Sequence, residues 1–171
     1  MRERKGVITF QGNPLTLLGD EPQLGHPAPD FQALDTELAT VSLSSLGGKV
    51  RVLCSVPSLD TPVCDMQTRK FNQEAVSLGP EVEVVTLSMD LPFAQRRWCA
   101  SAGVQRVRTL SDHRDASFAT AYGTLIKELR LLTRAVFVVD PQGILRYSQW
   151  VGEITQEPDY DAVIQAVKSL L

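Results

Sequence analysis

The chain has 171 residues, of which 43% are hydrophobic and 22% are charged. This length and composition predict one globular domain over residues 1–171 and exclude a disordered or fibrous chain. The formal net charge is −3, and basic residues occur as short pairs such as Arg69-Lys70 and Arg96-Arg97. Such pairs are typical of solvated helix faces, so a nucleic-acid-binding surface is not expected.

No segment has the pattern of a targeting or membrane sequence. The stretch from Gly6 to Leu18 is interrupted by Gln11, Gly12 and Pro14, so it lacks the apolar centre of a signal peptide. No stretch approaches the roughly 18 apolar residues that would span a bilayer. These features predict a cytoplasmic protein, in a compartment that keeps thiols reduced.

The chain contains three cysteines, Cys54, Cys64 and Cys99. An odd number without a C-x-x-C pair argues against a structural disulfide framework. His26 and His113 lie far from every cysteine in the sequence, so a structural zinc site is not expected. No other metal or organic cofactor is indicated.

The N-terminal half begins with a predicted hairpin. Val7–Phe10 and Leu15–Leu18 are apolar runs separated by Gln-Gly-Asn-Pro, a pattern typical of paired strands, so residues 1–18 are predicted to extend the domain as a hairpin. A loop rich in Pro and Gly follows. The next predicted elements are strands over Leu38–Leu43, Val50–Val56 and Val82–Leu87, a helix over Pro62–Leu78, and a helix from an Asp90 N-cap to about Ala102.

The C-terminal half continues the alternation of strands and helices. Ala135–Val139 is almost purely apolar, as a central buried strand should be. The other predicted elements are a strand over Arg108–Leu110, a helix over Ala116–Tyr122, a strand over Ile144–Trp150 and a helix over Pro158–Leu171. This alternation predicts an α/β fold in which helices cover both faces of a central sheet.

The segment from Pro57 to Cys64 is the most informative for function. A strand ends, a proline-bounded turn follows, and a helix begins with Cys64 in or near its first turn. The unpaired N–H groups and partial positive charge of a helix start stabilise a thiolate. The same N–H groups can bind a peroxide oxygen. Thr61 lies three residues before Cys64, and its hydroxyl is expected to point at the sulfur.

Cys54 has a different predicted environment. It shares a strand face with Val50, Val52 and Val56, since side chains alternate along a strand. A packed core thiol is therefore expected at this position.

Pro57, Thr61 and Cys64 match the Pro-x-x-x-Thr-x-x-Cys motif of peroxiredoxins, and the run from Pro57 to Asn72 resembles the thiol peroxidase subfamily of atypical two-cysteine peroxiredoxins. The likeness extends over nearly the whole chain and includes the segments 25–31, 90–99, 110–112, 134–140 and 153–160. It implies a thioredoxin-like α/β fold with a central mixed sheet, flanking helices and an N-terminal β-hairpin.

The resemblance also implies the residue roles. Cys64 would be the peroxidatic cysteine, Thr61 its hydrogen-bonding partner and Arg134 the active-site arginine, with Pro57, Thr61 and Arg134 binding the substrate. Cys99 would be the resolving cysteine, which condenses with a Cys64 sulfenic acid to form an intramolecular disulfide. Hydrogen peroxide and organic hydroperoxides are the implied substrates, thioredoxin or a similar dithiol the implied reductant, and a homodimer the implied assembly.

Two other interpretations of Cys64 remain open from the sequence. A cysteine hydrolase would need His26 or His113 beside Cys64, and no hydrolase signature surrounds any cysteine. A redox sensor could use the same Cys64–Cys99 chemistry without rapid turnover. Both alternatives differ from a peroxidase in what they do with excess peroxide.

Overall fold

The computed structural model describes all 171 residues, which form ten strands and four α-helices. The strands are β1 (Glu3–Phe10), β2 (Asn13–Leu18), β3 (Gln32–Leu34), β4 (Thr40–Ser42), β5 (Val50–Ser55), β6 (Val82–Ser88), β7 (Val107–Ser111), β8 (Leu125–Ile126), β9 (Ala135–Val139) and β10 (Leu145–Trp150). The helices are α1 (Pro62–Leu78), α2 (Pro92–Ala102), α3 (Ser117–Tyr122) and α4 (Tyr160–Lys168).

The main sheet has seven strands in the order β10-β9-β5-β6-β7-β3-β4. Strands β5, β6 and β7 run parallel, whereas β9 pairs antiparallel with β5 and β10 pairs antiparallel with β9. The unit β5-α1-β6 and the later unit β9-β10-α4 give the thioredoxin-like arrangement. The predicted mixed central sheet with flanking helices is therefore confirmed.

The core lies on both faces of this sheet. Alternation along β5 sends Leu53 into a cluster that contains Phe118 and Tyr122 of α3, and it sends Cys54 into a second cluster with Phe71 of α1 and Val163 of α4. Burial on both faces explains why β9 is apolar along its whole length and why every residue of β5 is buried. This rigid centre carries the N-terminal end of α1 and the chain before β9, where the site lies.

The predicted N-terminal hairpin is also confirmed. Strands β1 and β2 pair antiparallel, and β2 pairs with β8 to complete a separate three-stranded sheet. Ile8 and Leu17 of the hairpin pack with Ile126 and Ile154. The hairpin is thus fastened against the loop that follows β10, which contains Ile154.

Three local predictions differ from the structure. The strand predicted over Leu38–Leu43 is limited to Thr40–Ser42, because Leu38 occupies a turn with φ +67° that the Asp35 carboxylate closes. Strands β3 and β8 are too short to give a periodic signal, and the sequence analysis missed both. The last helix is shorter than predicted and begins after Asp159, whose carboxylate accepts from the Ala162 N–H.

None of the four helices is both long enough and apolar enough to cross a membrane.

Candidate active site

Cys64 lies in the first turn of α1. Thr61 is the N-cap residue and Pro62 the first helical residue. The first helical hydrogen bond runs from the Asp65 N–H to the Thr61 carbonyl, so the Cys64 N–H belongs to the unpaired donors of the helix start. Proline suits this place because it has no N–H to leave unpaired. The side chain of Cys64 is completely buried.

Arg134 provides the closest charged group to the Cys64 sulfur. Its Nη2 atom lies 3.2 Å from Sγ, and the residue directly precedes β9, at the end of the sheet that α1 approaches. Arg134 is only 1% exposed. A guanidinium at this distance places a fixed positive charge against the buried sulfur.

Two further groups hold the guanidinium in place. Arg134 Nη1 donates to Gln67 Oε1 at 2.6 Å, and Nε and Nη2 donate to the Ile154 carbonyl at 3.1 and 2.9 Å. Gln67 follows Cys64 by three residues and so lies on the same helix face. Gln67 was not predicted as a site residue, although its spacing from Cys64 indicates that the two side chains share a helix face.

The hydrogen bond expected from Thr61 to the sulfur is absent. The Thr61 hydroxyl instead donates to the Ser58 carbonyl at 2.8 Å, because this carbonyl lies within the same tight turn and competes for the proton. The hydroxyl oxygen keeps lone pairs that can accept a hydrogen bond from a bound molecule. Thr61 therefore lies beside the site, with its donor already used.

Asp90 stabilises the turn before Cys64. The structure assigns Leu91 as the N-cap of α2, so the prediction that Asp90 caps this helix is wrong. Its carboxylate accepts from the Ser58 hydroxyl at 2.7 Å, the Leu59 N–H at 2.8 Å and the Ser88 hydroxyl at 2.7 Å. These local donors compete successfully with the helix N–H groups, and they fix the turn that carries Thr61.

A cavity of about 240 Å³ opens beside this group. Its lining residues are Phe10, Pro57, Thr61, Pro62, Val63, Arg134, Ile154 and Thr155. Cys64 does not line the cavity directly, and Arg134 is the lining residue that contacts its sulfur. The accessible lining is almost wholly apolar, and the polar residues among those that line it are Thr61, Arg134 and Thr155. Such a cavity suits a molecule with an apolar body and one polar end.

Cys99 lies apart from this group. It is half-buried on α2, as its position one residue beyond Trp98 predicts, and its sulfur is 3.5 Å from the Thr109 hydroxyl. It lines a different cavity together with Arg96 and Arg108. Cys64 and Cys99 are both free thiols, and no direct contact joins them.

The remaining candidate residues lie outside the site. Cys54 is completely buried in the core, as predicted, and burial raises the pKa of its thiol. His26 and His113 are exposed and make no side-chain hydrogen bond to Cys64. The structure therefore offers no Cys-His pair of the kind that a cysteine hydrolase needs.

Comparisons with known proteins identify the family of this chain. A model of the redoxin family matches residues 23–164. The chain is 56% identical to a thiol peroxidase of Halalkalibacterium halodurans, covering 96% of this chain and 98% of the relative. It is 52% identical to a thiol peroxidase of Bacillus subtilis with the same coverage of both chains.

Solved structures give the same result for the fold. A crystal structure of a peroxiredoxin-like protein from Aquifex aeolicus superposes with a TM-score of 0.91 at 40% identity, with 100% of both chains covered. A thiol peroxidase from Chromobacterium violaceum superposes with a TM-score of 0.85 at 19% identity, with 95% of both chains covered, and so supports the fold alone.

The chain therefore belongs to the redoxin family. Its close full-length relatives are thiol peroxidases, and it is accordingly an oxidoreductase with thiol-dependent peroxidase activity.

Proposed function

We propose that this enzyme reduces hydrogen peroxide and organic hydroperoxides with Cys64, resolves the product with Cys99 and is recycled by thioredoxin or a similar dithiol protein. The observation that carries the proposal is the 3.2 Å contact between Arg134 Nη2 and Cys64 Sγ at a helix start. This contact combines a fixed positive charge with unpaired N–H groups at one buried sulfur.

The first step is a two-electron transfer from sulfur to peroxide. The Cys64 thiolate attacks one peroxide oxygen, an S–O bond forms and the O–O bond breaks. The departing oxygen leaves as hydroxide or alkoxide and takes up a proton to become water or an alcohol, while Cys64 becomes a sulfenic acid. Arg134 stabilises the negative charge that moves from sulfur to oxygen, and the Thr61 oxygen accepts from the peroxide O–H.

The cavity beside Arg134 supports organic hydroperoxides as substrates. The apolar wall of the cavity is supplied by Pro57, Pro62 and Val63, and Arg134 lines the same cavity. The apolar part of an organic hydroperoxide gains free energy when this wall removes it from water. Hydrogen peroxide lacks such a part and would contact only the polar groups around Arg134.

The second step forms a disulfide. The Cys99 thiol loses its proton and attacks the Cys64 sulfenic sulfur, an S–S bond forms, and the hydroxyl group leaves as water. The half-buried state of Cys99 supports this role, since the thiol is partly accessible. A dithiol protein then reduces the disulfide by exchange and becomes oxidised itself.

Family resemblance further supports a cytoplasmic homodimer.

The decisive experiment compares wild type with Cys64→Ser. Peroxide consumption is followed with catalytic amounts of enzyme and a thioredoxin, thioredoxin reductase and NADPH system. Cys64→Ser is expected to be inactive, because a hydroxyl is not ionised at neutral pH and is a poor nucleophile. Activity above a few per cent of wild type would refute the role of Cys64.

The same assay separates a peroxidase from a redox sensor. Many turnovers per protein molecule are expected for wild type. Consumption that stops near one equivalent, although the reductant remains, would favour the sensor.

A further inference from the structure

The carboxylate of Glu153 joins the N-terminal hairpin to the loop that follows β10. Oε1 accepts from the Thr9 hydroxyl and from the Gly12 N–H, both at 2.9 Å. Oε2 accepts from the Thr155 N–H at 3.0 Å and from the Thr155 hydroxyl at 2.7 Å. Oε1 thus binds the hairpin and Oε2 binds the loop that follows β10.

Backbone bonds at the same point set the register of the two segments. The Thr9 N–H donates to the Gly152 carbonyl at 2.7 Å, and the Ile154 N–H donates to the Thr9 carbonyl at 3.0 Å. Glu153 lies between these two bonds. Its side chain therefore reinforces a junction that also depends on these two backbone hydrogen bonds and on the apolar cluster that contains Ile8 and Ile154.

The two segments that Glu153 joins both contribute residues to the lining of the cavity beside Arg134. Phe10 follows Thr9 directly, and Ile154 and Thr155 follow Glu153. Phe10 remains 38% exposed, so core packing alone does not hold its ring. Its position over the cavity depends on how firmly the tip of the hairpin is attached.

An ionised carboxylate suits this junction chemically. It only accepts hydrogen bonds, and it faces four donors. Hydrogen bonds from Thr155, Gly12 and Thr9 lower the pKa of Glu153 to about 2, so the group stays charged under working conditions.

We propose that Glu153 is a positioning residue that holds Phe10 against the cavity and thereby selects hydroperoxides with an apolar substituent over hydrogen peroxide. This inference rests on the proposed function. An apolar substituent can reach the Phe10 ring, whereas hydrogen peroxide contacts only the polar groups around Arg134. Loosening the hairpin tip should thus weaken the binding of hydroperoxides with an apolar substituent more than the binding of hydrogen peroxide.

The test measures kcat and KM for cumene hydroperoxide and for hydrogen peroxide in five proteins: wild type, Glu153→Ala, Glu153→Gln, Phe10→Ala and Glu128→Gln. For Glu153→Ala and Phe10→Ala, the ratio of kcat/KM for cumene hydroperoxide to that for hydrogen peroxide is expected to fall about tenfold. The loss should arise from a higher KM for cumene hydroperoxide, because Phe10 contributes binding and no chemistry.

Glu128→Gln is the matched control. Its carboxylate also anchors the hairpin, through the Thr16 N–H at 3.0 and 3.1 Å, but neither residue lines the cavity. This variant is expected to keep the wild-type ratio. Glu153→Gln should show an intermediate loss, since its one carbonyl oxygen can still accept from Thr9 and Gly12.

Several outcomes would overturn the inference. A wild-type ratio in Glu153→Ala or in Phe10→Ala would show that the junction does not set selectivity. An equal loss for both peroxides would place the effect at Arg134, through the Ile154 carbonyl. Should Glu153→Ala unfold, as circular dichroism would reveal, Glu153→Gln and Phe10→Ala carry the test. An inactive wild type would instead refute the proposed function.

Discussion

Arg134 is the residue on which the site depends most. Its three nitrogen donors contact the Cys64 sulfur, the Gln67 side chain and the Ile154 carbonyl. The planar guanidinium can satisfy all three directions at once because its donors lie in a rigid fork. A single side chain therefore links α1, the chain before β9 and the loop after β10.

Arg134→Ala should slow peroxide reduction by about 10²- to 10³-fold, the usual cost of removing one positioned donor from a transition state. The rate for Arg134→Lys should fall between those of Arg134→Ala and wild type, because lysine keeps the positive charge but lacks the planar set of donors. Single-turnover oxidation of Cys64, followed by stopped-flow mixing with peroxide, measures this step alone. Unchanged rates in a folded Arg134→Ala protein would remove Arg134 from the reaction.

Cys64 was predicted from its motif and Arg134 from the family resemblance, because both are recognisable in the sequence itself. Gln67 and Glu153 were not assigned, and Asp90 was wrongly predicted as a helix cap, because each has hydrogen-bond partners that lie far away in sequence. Thr61 was predicted at the right place but with the wrong hydrogen-bond partner. A sequence shows that a hydroxyl is present, but competition from the Ser58 carbonyl appears only once the turn is folded.

At the scale of elements, α1 and α2 are joined beside their cysteines. Trp98 Nε1 donates to Asp65 Oδ1 at 2.7 Å, and these residues are the direct neighbours of Cys99 and Cys64. Arg69 strengthens the link, since it donates to Asp65 at 3.0 Å and lies over the Trp98 ring. A disulfide needs Cα atoms within about 7 Å, so its formation is expected to require local unwinding that disturbs this link.

Cys99→Ser should still consume about one equivalent of peroxide, because Cys64 is unchanged, but it should lose turnover with thioredoxin. Its sulfenic acid should progress to sulfinic acid, since no thiol traps it. Mass spectrometry of peroxide-treated protein under non-reducing conditions distinguishes these products. Cys54→Ser is the control and should keep the Cys64–Cys99 disulfide. A disulfide mapped to Cys54, or one between chains, would contradict the choice of Cys99.

Trp98→Phe should speed disulfide formation by up to about tenfold, because a hydrogen bond contributes a net of about 0.5–1.5 kcal/mol and its loss eases unwinding. At high peroxide concentrations, this variant should accumulate less sulfinic acid than wild type. The fraction of sulfinic acid, measured by mass spectrometry at matched peroxide doses, reports the competition between disulfide formation and further oxidation of Cys64. An unchanged fraction would mean that the Asp65–Trp98 link does not limit resolution.

The predicted elements that proved correct are those with long periodic patterns. The apolar run of β9 and the helical spacing of α1 each fix their structure locally. Strands β3 and β8 instead exist through their neighbours: Leu34 pairs with Ser111, and Leu125 pairs with Leu18. No local pattern of two or three residues could have predicted pairings over such distances in sequence.

At the scale of the whole molecule, Asp112 is a buried acid in the packed domain. It is only 1% exposed, and its carboxylate accepts from the Phe118 and Ala119 N–H groups at 3.0 and 2.8 Å. Burial raises the pKa of Asp112 from 3.8 to about 6, although these hydrogen bonds oppose the rise. Folding thus favours the protonated form.

This raised pKa predicts how stability depends on pH. The contribution of Asp112 is fully present below about pH 4, is lost as the pH rises towards about 6, and is constant above that value. Relative to Asp112→Asn, the wild-type free energy of unfolding should therefore decrease by up to about 3 kcal/mol over this range. Urea denaturation of both proteins between about pH 4 and about pH 7 measures the difference. A difference that does not vary with pH would exclude a raised pKa.

The complete burial of Cys64, described above, also acts as a size filter. A sulfur with no accessible surface is reached only through a local opening, and a peroxide needs a smaller opening than glutathione disulfide or another protein does. The enclosure thus protects the reactive sulfur from bulky oxidants, and it equally denies access to a protein reductant. Half-buried Cys99 offers the accessible second sulfur. In the proposed cycle, the peroxide therefore reacts at a buried sulfur and the protein reductant reacts through a partly exposed one.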